Sequence, residues 1–201
     1  MAFNWSPAGY AHSDWLGSWA PLLEPREKAD MRLLRHASMD LLGRHGLRQR
    51  YMRSSGELAW LLLPPARLEP VARELAVAML GGWVRNGLTR EEVAQQLHVL
   101  GPDGRAAAMR YAASLQALPY PADGVRWPMT SPEPASVVEL GWSCMAALLT
   151  DEETGARARF LMRFPRGVVA PLELNDPQRS EALHLIGEQT SVNSSTSGGQ
   201  R

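Results

Sequence analysis

The residues able to do acid–base, nucleophilic or metal chemistry are few. There are 5 histidines (His12, His36, His45, His98 and His184) and a single cysteine, Cys144. His12 and Asp14 stand two apart in Ser6-Pro-Ala-Gly-Tyr-Ala-His-Ser-Asp-Trp-Leu-Gly-Ser-Trp19. A His–carboxylate pair can act as a base and its orienter, but catalysis also needs a nucleophile or substrate group within hydrogen-bond reach. On a helix the two side chains point about 200° apart, and on a strand they share a face. Ser13, the nearest hydroxyl, faces elsewhere in either case. A small hydrolase or transferase using His12 and Asp14 is therefore an alternative reading. The other is structural: Tyr10, Trp15 and Leu16 pack, His12 is hydrogen-bonded among them, and Asp14 caps a short Trp15–Trp19 helix. No two histidines fall at the i, i+3 or i, i+4 spacing that sets two ligands on one helical face, and Cys144 has no partner cysteine. Gly101-Pro-Asp-Gly104 reads as a turn, with proline removing an amide that a phosphate would use. No catalytic residue, metal or cofactor is expected.

The 201 residues carry 21 Lys+Arg against 21 Asp+Glu, a net charge of zero, and 45% are hydrophobic. That balance suits a chain with a real core and argues against a dedicated nucleic-acid binder, whose affinity rests on neutralising phosphates. Leu88–Leu97 could open a helix-turn-helix, and a DNA-binding regulator built on residues 88–118 is a third reading. Gly101-Pro102 and Gly104, however, fall where a recognition helix has to begin. A lone cysteine gives no internal disulfide. No basic segment followed by an apolar run opens the chain, and apolar runs such as Trp60–Leu63 are far short of the ~20 residues that span a bilayer. These features lead to the expectation of a soluble cytoplasmic protein with no direct membrane span.

The elements that must position these residues are mostly helices. Apolar spacing predicts helices over Arg26–Leu42 and Ala66–Asn86, the second ending at Asn86-Gly87. Thr89-Arg-Glu-Glu92 is a capping box, with Leu88 and Val93 as its hydrophobic staple, and it starts a helix ending near Gly101. Another helix runs from about Asp103 to Leu118. Prolines between Pro119 and Pro134 then make a stiff linker around Trp127. The helix from Pro134 to Leu149 is apolar nearly all round and so should be central. In Arg157–Phe164 the period changes to two: Ala158, Phe160, Met162 and Phe164 alternate with Arg157, Arg159, Leu161 and Arg163. This predicts a half-buried strand, with a turn at Arg166-Gly167 and a return over Val168-Val169. Asp176-Pro177 opens a last helix to about Gly187. The fold class expected is mostly α, a compact helical domain over 1–187 with a small β-hairpin near 157–172, followed by a disordered polar tail over 188–201.

Two basic clusters, Arg44/Arg48/Arg50/Arg53 (beside Tyr51 and Met52) and Arg157/Arg159/Arg163/Arg166, are either solvated faces or docking strips for an acidic partner.

Pro7-x-x-Tyr10-x-His12 followed by Trp15-Leu16 resembles the N-terminal signature of the K-type accessory proteins of bacterial type III secretion, the SctK family, which includes YscK and OrgA. The Leu/Ala-rich helix over Leu68–Gly87, Trp127-Pro128, the Gly141-Trp142 helix and the Arg/apolar segment ending in Phe164-Pro165 follow in the same order. Together they cover roughly residues 5 to 170. The resemblance implies a non-enzymatic adaptor of the cytoplasmic sorting platform, peripheral at the inner membrane. Such an adaptor links the SctD-type ring protein to the SctQ-type pod protein, and through the pod reaches the SctL stator and the SctN ATPase. It makes Pro7, Tyr10, His12, Trp15 and Leu16, with Arg157, Arg159 and Arg163, the residues expected at a partner contact or in the framework beneath one.

Overall fold

The computed structural model describes residues 6–25, 28–47, 58–114, 133–149, 155–170 and 172–195. Among them are eight α-helices: α1 Ser13–Leu16, α2 Met31–Arg44, α3 Pro65–Met79, α4 Gly81–Asn86, α5 Arg90–Ser114, α6 Pro134–Ala147, α7 Ala156–Leu161 and α8 Asp176–Ser195. Three 3-10 turns accompany them, at Pro7–Gly9, Gly17–Leu22 and Ala59–Leu62. The fold is mostly helical, and no strand occurs among the described residues.

Contacts divide the chain into two compact units, Met1–Pro65 with Leu149–Ala170 and Ala66–Leu148 with Pro171–Arg201. Each unit is discontinuous in sequence. Composition shifts mark where a linker is, not which earlier segment a later one rejoins, so this boundary leaves no local signature.

The second unit follows its sequence pattern closely. α6 buries Val137, Leu140, Gly141, Trp142, Ser143, Cys144, Met145, Ala146 and Ala147, nearly its whole circumference. α3 turns Leu68, Val71, Ala72, Leu75 and Ala76 inward. The helix expected to run on to Asn86 is interrupted at Leu80, which has φ −80° and ψ 0°, just before Gly81-Gly82. The capping box at the start of α5 forms as its spacing requires: the Glu92 amide donates to Thr89 Oγ1 at 3.2 Å and the Thr89 amide to Glu92 Oε2 at 2.9 Å. The Thr89 amide foremost, then the Thr89 hydroxyl and the Leu88 amide, donate to the Glu92 carboxylate and hold it below its usual range. The expected staple contributes little, since Leu88 is 88% exposed. Gly101, at φ 72° and ψ 170°, breaks α5 into two helical segments where glycine and proline adjoin; only glycine holds that conformation cheaply. Residues 115–132, with the expected proline linker and Trp127, lie outside the described residues.

Gln96, fully buried on α5, ties α4 to α5. Its Nε2 donates to the carbonyls of Trp83 at 3.1 Å and Val84 at 3.3 Å, and its Oε1 accepts from Arg105 Nε at 3.0 Å. A Cβ added at Gly87 would stand 2.1 Å from Gln96 Nε2. Gly87→Ala must therefore push the amide off those carbonyls, at a cost of ~1–3 kcal/mol for buried polar groups left unpaired. A fall in the urea midpoint with unchanged slope checks this.

α8 starts one residue earlier in its capping logic than expected. Asn175, not Asp176, is the cap: Gln178 N–H donates to Asn175 Oδ1 at 3.0 Å and Asn175 N–H to Gln178 Oε1 at 2.9 Å. Its Arg179 donates to the carbonyls of Ala147 at 2.7 Å and Leu148 at 3.0 Å, closing the free end of α6. α8 continues past Gly187 to Ser195, into the stretch expected to be a disordered tail; residues 196–201 lie outside the described residues.

In the first unit the expected strand is a helix. Residues 157–161 belong to α7, turns follow to 168, and Val168-Val169 form no return strand. The buried residues of α7 are Ala156, Arg159 and Phe160, spaced i, i+3, i+4. The alternation misleads because Arg159, read as outward by its charge, is only 1% exposed.

Candidate functional site

The first unit gathers the N-terminal signature into one cluster. Pro7 sits in the first 3-10 turn, where its fixed φ and missing amide cost nothing. The Ala11 amide then closes onto the Pro7 carbonyl at 2.8 Å. Ala8 is buried, and its amide donates to Oγ of the buried Ser38 on α2 at 3.2 Å. Ala8, Ala11, Leu16 and Leu23 pack with Ala37, Leu41 and Met162, flanked by half-buried Tyr10, Trp15 and Trp19.

Both indoles of this aromatic segment are hydrogen-bonded, and so is its backbone. The His12 amide donates to the Met162 carbonyl at 2.6 Å. Trp15 Nε1 donates to the Phe164 carbonyl at 2.7 Å, and Trp19 Nε1 to Asp40 Oδ2 at 2.8 Å. Arg166 lies 4.8 Å from the Trp15 ring centroid, and His45 meets the same ring edge-on at 5.4 Å. Such contacts add roughly 0.5–1.5 kcal/mol each to area burial.

His12 is the N-cap of α1: its Nδ1 accepts the Asp14 amide at 3.3 Å. An accepting Nδ1 places the ring proton on Nε2. Asp14 Oδ1 stands 3.3 Å from the same nitrogen. Asp14 is not the cap expected of it; its Oδ2 accepts the Arg166 amide at 3.2 Å and so ties α1 to the 165–168 turn. The pair is thus spent on two backbone amides, and among the described residues no hydroxyl or thiol hydrogen-bonds His12.

The arginines of the expected strip do not share an outward face. Arg159 is buried, with its Nη1 3.3 Å from the Gly155 carbonyl. Arg163 reaches the carbonyls of Leu61 at 2.5 Å and Leu63 at 3.3 Å, and its guanidinium lies 5.6 Å from the Tyr10 ring centroid. Arg157 Nε donates to the Leu149 carbonyl at 2.7 Å. They work as donors to backbone carbonyls within the unit. Burial pushes the Tyr10 phenol above its usual range, opposed by the charges of Arg163 and Arg159. Burial likewise lowers Arg163, opposed by Tyr10.

His45, missed as a neighbour of Trp15 because thirty residues separate them, is held below the usual histidine range by desolvation first and then by Arg166 and Arg44. Its folded pKa is lower than its unfolded one, so the unfolded chain binds the proton more tightly. Stability should therefore fall as pH drops from about 6.5 toward the folded value. His45→Gln removes that slope, which melting between pH 7.5 and 5 would show. Asp40, Ser38 and Arg44 were likewise invisible as partners, having no local motif. Of the first basic cluster, Arg44 pairs with Asp40 at 2.9 Å, and Arg48, Arg50 and Arg53 lie outside the described residues.

Elsewhere, no group of three His, Cys, Asp or Glu side chains able to hold a metal occurs among the described residues. Cys144 is buried in α6, and burial pushes its thiol up to about 12, so it is protonated at neutral pH. α5 does not form a helix-turn-helix: one residue, Gly101, separates its two segments, where that motif needs a turn of three or four. No helix among the described residues is long and apolar enough to cross a membrane. No protein-family model, curated protein or solved structure matches the chain.

Proposed function

We propose that this protein is a non-enzymatic adaptor of a bacterial type III secretion sorting platform, of the SctK type, working at the cytoplasmic face of the inner membrane. It links the cytoplasmic domain of an SctD-type ring protein to an SctQ-type pod protein, and through the pod to the SctL stator and SctN ATPase. The observation that carries the reading is the meeting of the two ends of the signature. Tyr10, His12, Trp15 and Leu16, led in by the Pro7 turn, assemble with Met162, Arg163 and Phe164 into one hydrogen-bonded aromatic cluster. A signature that builds a rigid framework suits an adaptor, whose task is to present surfaces at fixed separation. His12 and Asp14 supply that framework with backbone caps in place of a reactive pair.

The test is co-purification of the full chain with SctQ-type protein and with the SctD-type cytoplasmic domain, together with deletion of its gene in the host. Capture of both partners and loss of secretion on deletion are expected. Capture of neither overturns the reading.

A further inference from the structure

One arginine from each of the two basic clusters comes to Trp15. Arg166 lies over the Trp15 ring, 4.8 Å from its centroid, and His45 meets the ring edge at 5.4 Å. Arg44 flanks the same segment: a Cβ added at Gly17, just past α1, would stand 3.6 Å from its Nη1. Both arginines act on His45 and make it harder to protonate. Arg44, His45 and Arg166 are all exposed, while Trp15 is half-buried. Three groups able to carry positive charge therefore stand around one tryptophan at the surface of the first unit.

The acids of the same elements, Asp14 of α1 and Asp40 of α2, are already committed. Asp40 Oδ2 takes Trp19 Nε1 at 2.8 Å and Arg44 at 2.9 Å. Asp14 Oδ2 accepts the backbone amide of Arg166 at 3.2 Å, and its Oδ1 stands beside His12 Nδ1. The Arg166 guanidinium has no such partner. Among the described residues no carboxylate lies within 4 Å of it, and its side chain donates no hydrogen bond. Stacking on a ring restrains a guanidinium and leaves its planar fork of N–H donors open. A second cation brought beside His45 does nothing for the fold, because like charges disfavour each other; the arrangement gains once an anion joins it.

We propose that Arg166, held over Trp15, is a docking point for an acidic segment of a partner protein, whose aspartate or glutamate carboxylate takes the guanidinium bidentately with Arg44 and His45 beside it. Tryptophan and arginine are the residue types that concentrate binding energy where proteins meet, and a guanidinium matches a carboxylate with two parallel bonds. An anionic membrane fits less well: Asp14 and Asp40 stand in the same patch and would face a broad sheet of phosphates, whereas a single side chain can enter between them. The docked carboxylate also acts on His45. It opposes the repulsion from Arg166 and Arg44, so the complex holds a proton on His45 more tightly than the free chain does. Affinity should therefore rise as pH falls from 7.5 to 5.5, a range in which aspartate and glutamate stay ionised. The inference names the chemistry of a partner for the adaptor and rests on that reading.

The test uses the full chain and a fluorescent 12-residue Gly/Ser peptide carrying four consecutive glutamates, against the same peptide with four glutamines. At low ionic strength and pH 7.5, saturable binding of the glutamate peptide is expected, at least tenfold stronger than of its counterpart. Arg166→Gln should weaken it at least fivefold, and Arg166→Lys, which keeps the charge and loses the fork, should fall in between. Both variants keep the backbone amide that Asp14 accepts, and melting checks that they fold. Arg85→Gln, which removes an exposed arginine of the second unit, should leave binding unchanged. His45→Gln should bind like the unaltered chain at pH 7.5 and lose the gain, at least threefold, expected at pH 5.5. No saturable binding, equal binding of both peptides, indifference to Arg166→Gln, or a low-pH gain that survives His45→Gln overturns the proposal. So does complete displacement of the peptide by equimolar inorganic phosphate, or binding only to phosphatidylserine vesicles. If Arg166→Gln still captures the SctQ-type and SctD-type partners like the unaltered chain, the adaptor reading stands and the docking point is wrong. If the unaltered chain captures neither, the adaptor reading itself falls, whatever the peptides do.

Discussion

Gly141→Ala should be the most damaging single-methyl change in the second unit, lowering stability by ~3 kcal/mol or more, the upper end for overpacking a tight core. A Cβ at this position would stand 1.8 Å from the Ala72 carbonyl oxygen, 2.3 Å from its carbonyl carbon and 2.8 Å from its Cα. All three atoms are backbone, so no rotamer change relieves the overlap. α3 and α6 have to move apart. That separation would open space around Leu68, Leu75, Leu140 and Met145, each at most 3% exposed, and lost packing adds to the clash. For a chain of this size the expected fall in melting temperature is about 6–12 °C. Gly82→Ala is the internal control: it is also helical, but nothing lies within 4 Å of the added methyl. Helix propensity alone should then raise stability by ~0.5–1 kcal/mol. Thermal melts of the two variants side by side should move in opposite directions. A Gly141→Ala melt within 1–2 °C of the unaltered chain would mean that α3 and α6 do not meet at this point.

The contrast shows where sequence reading has purchase. α6 announces itself because all its sides are apolar, and a helix apolar all round has nowhere to go but inside. The start of α5 is legible because Thr89 and Glu92 satisfy each other within three residues. The close approach at Gly141 has no such signal; a glycine in an apolar helix reads the same whether it faces a void or a backbone. α7 shows the opposite failure. Its pattern is a clear period of two, yet the segment is helical, because burial of Arg159 puts a charged residue on the inward face. Period arguments assume that charge points to water, and an arginine that satisfies carbonyls breaks the assumption. The site was legible in part. Tyr10, Trp15 and Leu16 pack as their types suggest, but the groups that receive them, Phe164, Asp40 and His45, are distant in sequence. Asp14 serves an amide that its local sequence does not reveal for the same reason, since that partner lies 152 residues on.

Trp15→Ala is expected to cost the first unit ~2–3 kcal/mol, below the 3–5 kcal/mol of a fully buried tryptophan because the ring is only half-buried. Three losses combine. The indole N–H no longer serves the Phe164 carbonyl, whose bond is 2.7 Å long and joins residues 149 apart. Arg166 loses the ring face it covers at 4.8 Å, and His45 the edge it meets at 5.4 Å. The losses can be separated. Trp15→Phe keeps an aromatic surface and removes only the donor, so its cost should be ~1 kcal/mol, the net worth of one hydrogen bond. Trp19→Phe removes the exposed bond to Asp40 and should cost less still, since water replaces it. The expected order of melting temperature is therefore unaltered chain, Trp19→Phe, Trp15→Phe, Trp15→Ala. A second readout tests whether the anchor is the framework of the adaptor. If Trp15 joins the N-terminal segment to the 164–166 turn, its loss should free both together, and limited proteolysis should cut near residues 10–20 and 163–168 at matched rates. Cleavage of the N-terminal segment alone would make it an appendage laid on a unit that stands without it, and the meeting of the two signature ends would then carry no functional weight.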